Sequence, residues 1–286
     1  MKKSKGLPFK DKVVWITGAS SGIGEEMSYR FSELGARLIL SSRNSDKLDK
    51  VNNNLPLGAS SAEVIPVDLE KLDTLNEITD KAWSAFGHID IFVSNAGVGV
   101  RALVNDTDFD IDRKVMSVNY FAPVVITKRL LPKFVEQGHG RFVVISSLSA
   151  KYGVPKLAPY SASKHALEGF FESLRTETYE QNIDINMVVP GIIKTQIMIN
   201  AETGDGGKYG KMGTTYDNAY SAKRAAKDIV EAVSRNKEAV FVGGTEGVTL
   251  LINRLSPWLM RRFIRNHPIK RMRKLRARLS LGHSVK

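Results

Sequence analysis

The chain alternates between two kinds of segment, and that alternation limits its fold more than any other feature. Short runs rich in β-branched residues recur along it: VVWIT (13–17), RLILSS (37–42), EVIPVD (63–68), IDIFVSN (89–95), RFVVISS (141–147), DINMVVP (184–190) and AVFVG (239–243). They are near-continuously apolar, as strands buried on both faces are. Helical periodicity fills the gaps, over residues 23–34, 45–54, 72–86, 110–137, 159–181 and 222–235. Strands separated by helix-length gaps imply right-handed crossovers. The expected fold is therefore α/β: a Rossmann-type, doubly wound sheet of about seven parallel strands with helices on both faces. No internal repeat is present. A single domain over residues 1–246 accommodates the pattern.

Two stretches depart from it. Residues 196–220 hold five glycines and no clear period. A loop that long in a compact domain reads as a lid, and its Ile197, Met198, Ile199, Tyr209, Met212 and Tyr216 suggest closure over an apolar substrate. A surface loop without function is the plainer alternative. The second departure is residues 247–286, where composition becomes informative. The whole chain carries a formal charge of +12. Residues 247–286 supply eleven Lys and Arg and no acid, which leaves +1 for everything before them. The basicity thus belongs to a C-terminal extension in which Leu250, Leu251, Ile252, Leu255, Trp258, Leu259, Met260, Phe263 and Ile264 are interleaved with arginines. Such a mixture resembles a helix lying on an anionic membrane surface. A helix packed near the active-site mouth or in a subunit interface is the second reading. Nucleic acid is the least favoured partner, since no reader motif accompanies the charge.

The chain has no cysteine, which excludes disulfides, thiolate metal sites and a Cys nucleophile. No metal ligand set is assigned. The N-terminal MKKSKGLPFKDK has basic residues but no apolar core behind it, and no run of about 18 apolar residues occurs. The body is expected to be cytoplasmic, with peripheral attachment at the inner face of a membrane left open by the tail.

The first strand runs straight into TGASSGIG (Thr17 to Gly24), which opens the first helix. Gly18, Gly22 and Gly24 permit a tight turn and close approach of a ligand, and the helix N-terminus offers free N–H groups to a pyrophosphate. A turn that serves strand–helix packing alone would look similar, but the first βα turn is where dinucleotides bind. After the second strand, Ser42 stands where an acid would bind the ribose 2′-OH of NAD, and Arg43 follows. A guanidinium there suits a 2′-phosphate, so NADP(H) is the expected cofactor.

Tyr160 and Lys164 are one helical turn apart in YSASK, behind Pro159. An ammonium beside a phenol favours the phenolate, and such a phenol can exchange a proton with a carbonyl or alcohol. Alone, a Y-x-x-x-K pair is most often an ordinary helix surface. Its surroundings change that reading. Ser147 ends the strand thirteen residues before Tyr160, SNAG (94–97) ends the fourth strand and PGIIKT (190–195) ends the sixth. All reach the C-terminal edge of the sheet, where α/β sites are built. Asn119, a polar residue in an apolar helical stretch, needs hydrogen-bond partners.

TGASSGIG, SNAG, Asn119, Ser147, YSASK and PGIIKT, in this order and spacing, resemble the short-chain dehydrogenases/reductases over roughly residues 10–245. SKHALEGFFESLRTE is similar to the branch of membrane-associated reductases that includes 11β-hydroxysteroid dehydrogenase. The resemblance implies Tyr160 as general acid/base, with Lys164 favouring its deprotonation and binding the nicotinamide ribose. It implies Ser147 as holder of the substrate oxygen and Asn119 as holder of a relay water. The cofactor would be lined by Gly18, Ser20, Ser21, Gly22, Ile23 and Gly24 in the first turn, then by Ser42 and Arg43. Asp68 (on the adenine) and Leu69 would follow, then Asn95, Ala96 and Gly97, and last Pro190, Gly191, Ile193 and Thr195, together with Tyr160 and Lys164. Ser94 departs from the family's usual Asn. The function implied is an NADP(H)-dependent oxidoreductase that interconverts a carbonyl and a secondary alcohol on a small, lipophilic substrate, working as a homodimer or homotetramer. A non-catalytic dinucleotide sensor, or an adaptor acting through the basic tail, is the alternative, and it leaves Ser147, Tyr160, Lys164 and Asn119 without a reason to occur together.

Overall fold

Every residue of the first strand, β1 (Val13–Thr17), is buried, and the strands beside it are buried except for Arg37. The structure is a computed structural model that describes residues 7–58, 61–211 and 219–265. These fall into two compact units divided after Gly244. In the first unit β1 leads to α1 (Gly22–Glu33), β2 (Arg37–Ser41), α2 (Ser45–Asn53), β3 (Ala62–Val64), α3 (Leu75–Phe86) and β4 (Ile91–Ser94). Then come α4 (Phe109–Met116), a π-helical turn (Ser117–Phe121), α5 (Ala122–Gln137) and β5 (Gly140–Ile145). The unit ends with α6 (Ala158–Glu177), β6 (Ile183–Pro190), β7 (Ile193–Lys194), β8 (Tyr220–Ser221), α7 (Ala222–Ser234) and β9 (Ala239–Val242).

Seven strands form one sheet in the order β3-β2-β1-β4-β5-β6-β9, every pair parallel. This is the doubly wound sheet the alternation predicts. Its two faces bury different chemistry because strand side chains alternate. Val14, Ile16, Leu38, Leu40, Val93, Val143 and Val188 meet Met27 and Phe31 of α1 and Ile229, Val230 and Val233 of α7 in an aliphatic layer. The opposite face is aromatic. Trp15 lies 4.9 Å from Phe92, and Phe142 lies 5.0 Å from Phe134 of α5 and 6.0 Å from Phe171 of α6. Burying a side chain of this size contributes about 1.5–3 kcal/mol, so the two layers fix which helix covers which face.

The N-terminal edge is tied down by one carboxylate. Asp90, just before β4, accepts from Val13 N (2.8 Å), Lys12 Nζ (2.7 Å) and His139 Nε2 (3.0 Å). Burial pushes its carboxyl up, but the bonds from Lys12, Val13 and His139 outweigh burial and hold it below the usual range. The entries to β1, β4 and β5 are thereby joined.

Several elements differ in extent from the sequence pattern. The periodicity over 110–137 predicts one helix, but the π turn divides it. β3 is three residues long; Ile65 N and Val67 N still bond to Leu40 O and Ser42 O, so the chain runs on beside β2 without full pairing. Residues 196–211 are not loose. Glu202 N bonds to Gly99 O, Arg101 N to Glu202 O and Asp108 N to Gly204 O, while Lys114 holds Glu202 at 2.6 Å. Met198 and Ala201 are buried. β7 and β8 pair across the two ends of the segment. Met212 and Tyr216 lie outside the described residues, as does the extension beyond Arg265.

The second unit contains α8 (Val248–Leu255) and α9 (Pro257–Arg265). Leu251, Leu255, Trp258, Leu259 and Phe263 are exposed, as are Arg254, Arg261, Arg262 and Arg265. Among the described residues no helix is long and apolar enough to cross a membrane.

Candidate active site

The parallel sheet delivers the turn after each strand to one edge, and the sequence-predicted residues are found there. The glycine turn is built by close approach of backbones. Gly18 (φ +68°) and Gly22 (φ +61°) occupy the left-handed region that favours glycine. A Cβ on Gly24 would lie 2.3 Å from Gly18 O and 2.5 Å from Asn95 Nδ2. Ser21, at the N-cap of α1, makes no side-chain capping bond, so the helix N-terminus keeps its N–H groups unspent by its own cap. Ser20 is half-buried, Ser21 is exposed, and Ile23 packs on the aliphatic layer. Thr195, directly after β7, approaches Gly22, where a Cβ would sit 3.2 Å from its Cγ2.

Asn95 braces this turn from the end of β4. Its Nδ2 donates to Thr17 O (2.9 Å) and Gly18 O (3.3 Å). Thr17 Oγ1 donates to Val93 O (3.2 Å) and accepts from the backbone N–H groups of Asn95 (3.2 Å) and Ala96 (3.3 Å). Thr17 opens the TGASSGIG motif, but sequence reasoning assigns its side chain no role; a polar residue closing an apolar strand is the available signal. The turn therefore fits an anionic, phosphate-bearing cofactor: uncapped N–H groups, a helix dipole and no side-chain bulk.

Ser42, Arg43, Asp68 and Leu69 gather at the ends of β2 and β3, joined by the bond from Val67 N to Ser42 O (2.9 Å). Ser42 Oγ accepts from Asn44 N (3.3 Å), and Asp68 Oδ1 accepts from Glu70 N (3.2 Å). Leu69 is buried. Arg43 is exposed and has no hydrogen bond or ion pair among the described residues. Pro190, the last residue of β6, is buried; beyond it Gly191 N bonds to Val242 O (2.9 Å) and Ile193 is buried.

The chemical group centres on Lys164, which is 4% exposed. Its Nζ donates to Ile145 O (2.8 Å) and lies 5.9 Å from the Tyr160 ring centroid. Burial pushes the ammonium down to about 8, while the Glu168 carboxylate pulls the other way. Pro159, in the first turn of α6, needs no N–H partner and starts the helix that carries both residues. Tyr160 also packs beside Val100, Ile111 and Val115, so the phenol borders an apolar patch.

Asn119 sits within the π turn. Its Oδ1 accepts from Val98 N (2.8 Å), and its Nδ2 donates to Val98 O (3.0 Å) and Ser163 Oγ (3.1 Å). Ser163 Oγ in turn donates to Tyr160 O (2.9 Å). Both amide N–H donors are thus committed, and Oδ1 keeps a second lone pair. Gly97 lets these groups close up: a Cβ there would lie 3.2 Å from Asn119 Oδ1 and 3.9 Å from Lys164 Nζ. Ser147 caps a 3-10 turn by accepting from Ser149 N (3.1 Å). Ser163 and Glu168 were also missed; both lie on the buried side of α6, and Glu168 follows Lys164 at the spacing by which Lys164 follows Tyr160.

The sequence profile described as "short chain dehydrogenase" matches residues 12–206. The chain is 39% identical over 258 residues to a Drosophila melanogaster "Dehydrogenase/reductase SDR family protein 7-like", covering 87% of this chain and 79% of that one. It is 37% identical over 261 residues to the Mus musculus "Dehydrogenase/reductase SDR family member 7B", covering 89% and 80%. Among solved structures, a short-chain dehydrogenase/reductase from Burkholderia phymatum in complex with NAD superposes with a TM-score of 0.77 at 19% identity, covering 88% and 96%. A metagenomic short-chain oxidoreductase in complex with NADP gives a TM-score of 0.68 at 25% identity, covering 82% and 98%.

The glycine turn yields a direct test. Gly24→Ala forces a methyl into Gly18 O and the Asn95 amide. It is expected to weaken binding of a nicotinamide dinucleotide about tenfold or more, a change equivalent to 1.4 kcal/mol or above. Titration of the folded variant by cofactor fluorescence checks this; affinity equal to wild type would contradict the packing of the turn.

Proposed function

The chain belongs to the short-chain dehydrogenase/reductase family of oxidoreductases, and from that premise we propose that it is an NADP(H)-dependent enzyme interconverting a carbonyl and a secondary alcohol on a small, lipophilic substrate. The observation that carries this reading is the buried Lys164 ammonium, tethered to Ile145 O beside Tyr160 at the sheet edge that holds the glycine turn. A bare helix-surface pair would leave such a lysine in water.

The turn at Gly18–Gly24 and the α1 N-terminus would hold the pyrophosphate of the cofactor. The solved relatives with bound NAD and NADP support a nicotinamide dinucleotide. Exposed Arg43, with no ion pair among the described residues, stands next to Ser42 and favours a 2′-phosphate over a 2′-hydroxyl. When bound, the nicotinamide supplies or accepts the hydride. The protein's part is orientation and the proton. Tyr160 gives its phenolic proton to the carbonyl oxygen in reduction and takes it from the alcohol in oxidation. Ser147 Oγ orients that oxygen. Lys164 spends one of its three donors on Ile145 O, stays largely charged at neutral pH and stabilises the phenolate, leaving two donors for a ribose. Asn119 fixes the loop Gly97–Val98 against α6, and its remaining lone pair would hold a relay water. The apolar patch of Val100, Ile111 and Val115 beside Tyr160 supports an apolar substrate, and the fastened segment 196–211 would cover it.

In the second unit, exposed Trp258, Phe263 and Leu255 among four arginines on α8 and α9 support peripheral attachment to an anionic membrane surface. Exposed Phe121 of the π turn and Val135 of α5 support a homo-oligomer formed through the long helices.

Three measurements check these statements. Tyr160→Phe should lower kcat about 10²–10⁴-fold with NADPH affinity nearly unchanged; a variant that keeps most of its kcat would remove Tyr160 as the acid. Arg43→Ala should raise the KM for NADPH about tenfold and leave that for NADH unaltered; equal effects on both would show that Arg43 does not read the phosphate. The full chain should sediment with phosphatidylserine vesicles and less with pure phosphatidylcholine, and Trp258→Asp/Phe263→Asp should abolish the difference. Equal recovery of both proteins would exclude the membrane surface.

A further inference from the structure

Glu168 is 8% exposed, a rare position for a carboxylate, and neither hydride transfer nor the proton path uses it. Its Oε1 accepts from Ser146 Oγ (2.6 Å) and its Oε2 meets Lys151 Nζ (2.6 Å). Ser146 stands between Ile145, whose carbonyl holds Lys164, and Ser147, the expected partner of the substrate oxygen. Ser146 N is in turn bonded to Val188 O of β6 (2.8 Å). Glu168 therefore grips the strand end that presents both groups, and it lies one helical turn from Lys164 on the same face of α6.

We propose that Glu168 is a positioning residue of the active site: it locks Ser146, and with it the Ile145–Ser147 segment, and its negative charge keeps the buried Lys164 charged. This rests on the catalytic reading of Lys164 above. The electrostatic surroundings are sparse. Lys151, from the loop after β5, faces Glu168, and Tyr160 faces Lys164. Of the other elements packed on α6, α4 has its Lys114 held by Glu202 and its Arg113 by Asp110, and its Asp112 makes no bond among the described residues. The π turn offers neutral Asn119 and the phenol of Tyr120, whose ring packs on Phe170 of α6, and Asp184 of β6 is bound by Arg141 at the far edge. Burial alone drives the lysine toward its neutral form; the carboxylate one turn away opposes it.

Glu168→Gln tests this, since the amide can still accept from Ser146 but carries no charge. The Cε signal of Lys164 in ¹³C-lysine-labelled full-length protein, assigned by loss in Lys164→Arg, gives the titration midpoint without any turnover. The midpoint should fall by about half a pH unit or more in Glu168→Gln, and the limb of the kcat/KM profile that reports it should move the same way. An unchanged midpoint in a variant with wild-type Tm would overturn the proposal. If Glu168→Gln does not fold, Lys151→Met decides: freeing Glu168 of its counter-charge should raise the Lys164 midpoint, and no movement would again overturn the proposal. A shifted midpoint in a protein inactive on every carbonyl offered would sink the oxidoreductase reading and leave the coupling intact.

Discussion

A parallel sheet needs both faces covered, and most of this structure follows from that constraint. Each strand must be followed by a helix that returns the chain to the same edge, so every strand-to-helix turn collects on one side. The buried faces are mostly apolar, largely aliphatic beneath α1 and α7 and aromatic beneath α5 and α6, and a buried polar group such as Ser41 is bonded within them, to Trp15 Nε1 and Ile65 O. Polar groups are consequently displaced to the edges. At the N-terminal edge one carboxylate, Asp90, joins three strand entries. At the C-terminal edge the polar groups are free to act, and the strand order breaks there between β1 and β4, opening a crevice beside the glycine turn.

Within that crevice the same rule recurs at smaller scale. Lys164 is buried because α6 packs against the sheet, and a buried ammonium must find partners. It finds the carbonyl of Ile145, the last residue of β5. Asn119 solves the same problem with both backbone groups of Val98. The site is thus assembled largely from side chains satisfying main-chain atoms of neighbouring turns, and its shape is inherited from the fold rather than added to it.

This explains which parts could be read from the sequence. The strands were legible because two-sided burial leaves an apolar run with no interruption, and the edge residues were legible because the runs end in Ser, Asn and Gly. The strand ends are overread wherever apolar character continues past pairing, as in EVIPVD, of which only Glu63 and Val64 join the ladder. What could not be read was whatever depends on the main chain of a distant segment. Asn95, expected to face the cofactor, spends its amide on Thr17 and Gly18; nothing in SNAG shows that. Residues 196–211, aperiodic and glycine-rich, are ordered by backbone bonds to 99–108, which carry no side-chain signature. Ser146 and Glu168 acquire meaning only once β5 and α6 lie side by side.

The π turn at Ser117–Phe121 is the least legible element, since its residues would suit an α-helix equally well. Each residue in an α-helix turns the chain by about 100°, so one residue more or fewer here re-aims everything that follows. α4 and α5 therefore answer to different neighbours: α4 to α6, and α5 to α3 and the aromatic layer. The wide turn is the clutch between them. Chain length at this point becomes a variable in its own right, and a single deletion, without altering the identity of any catalytic residue, would swing either Asn119 away from Val98 or Phe134 out of the core.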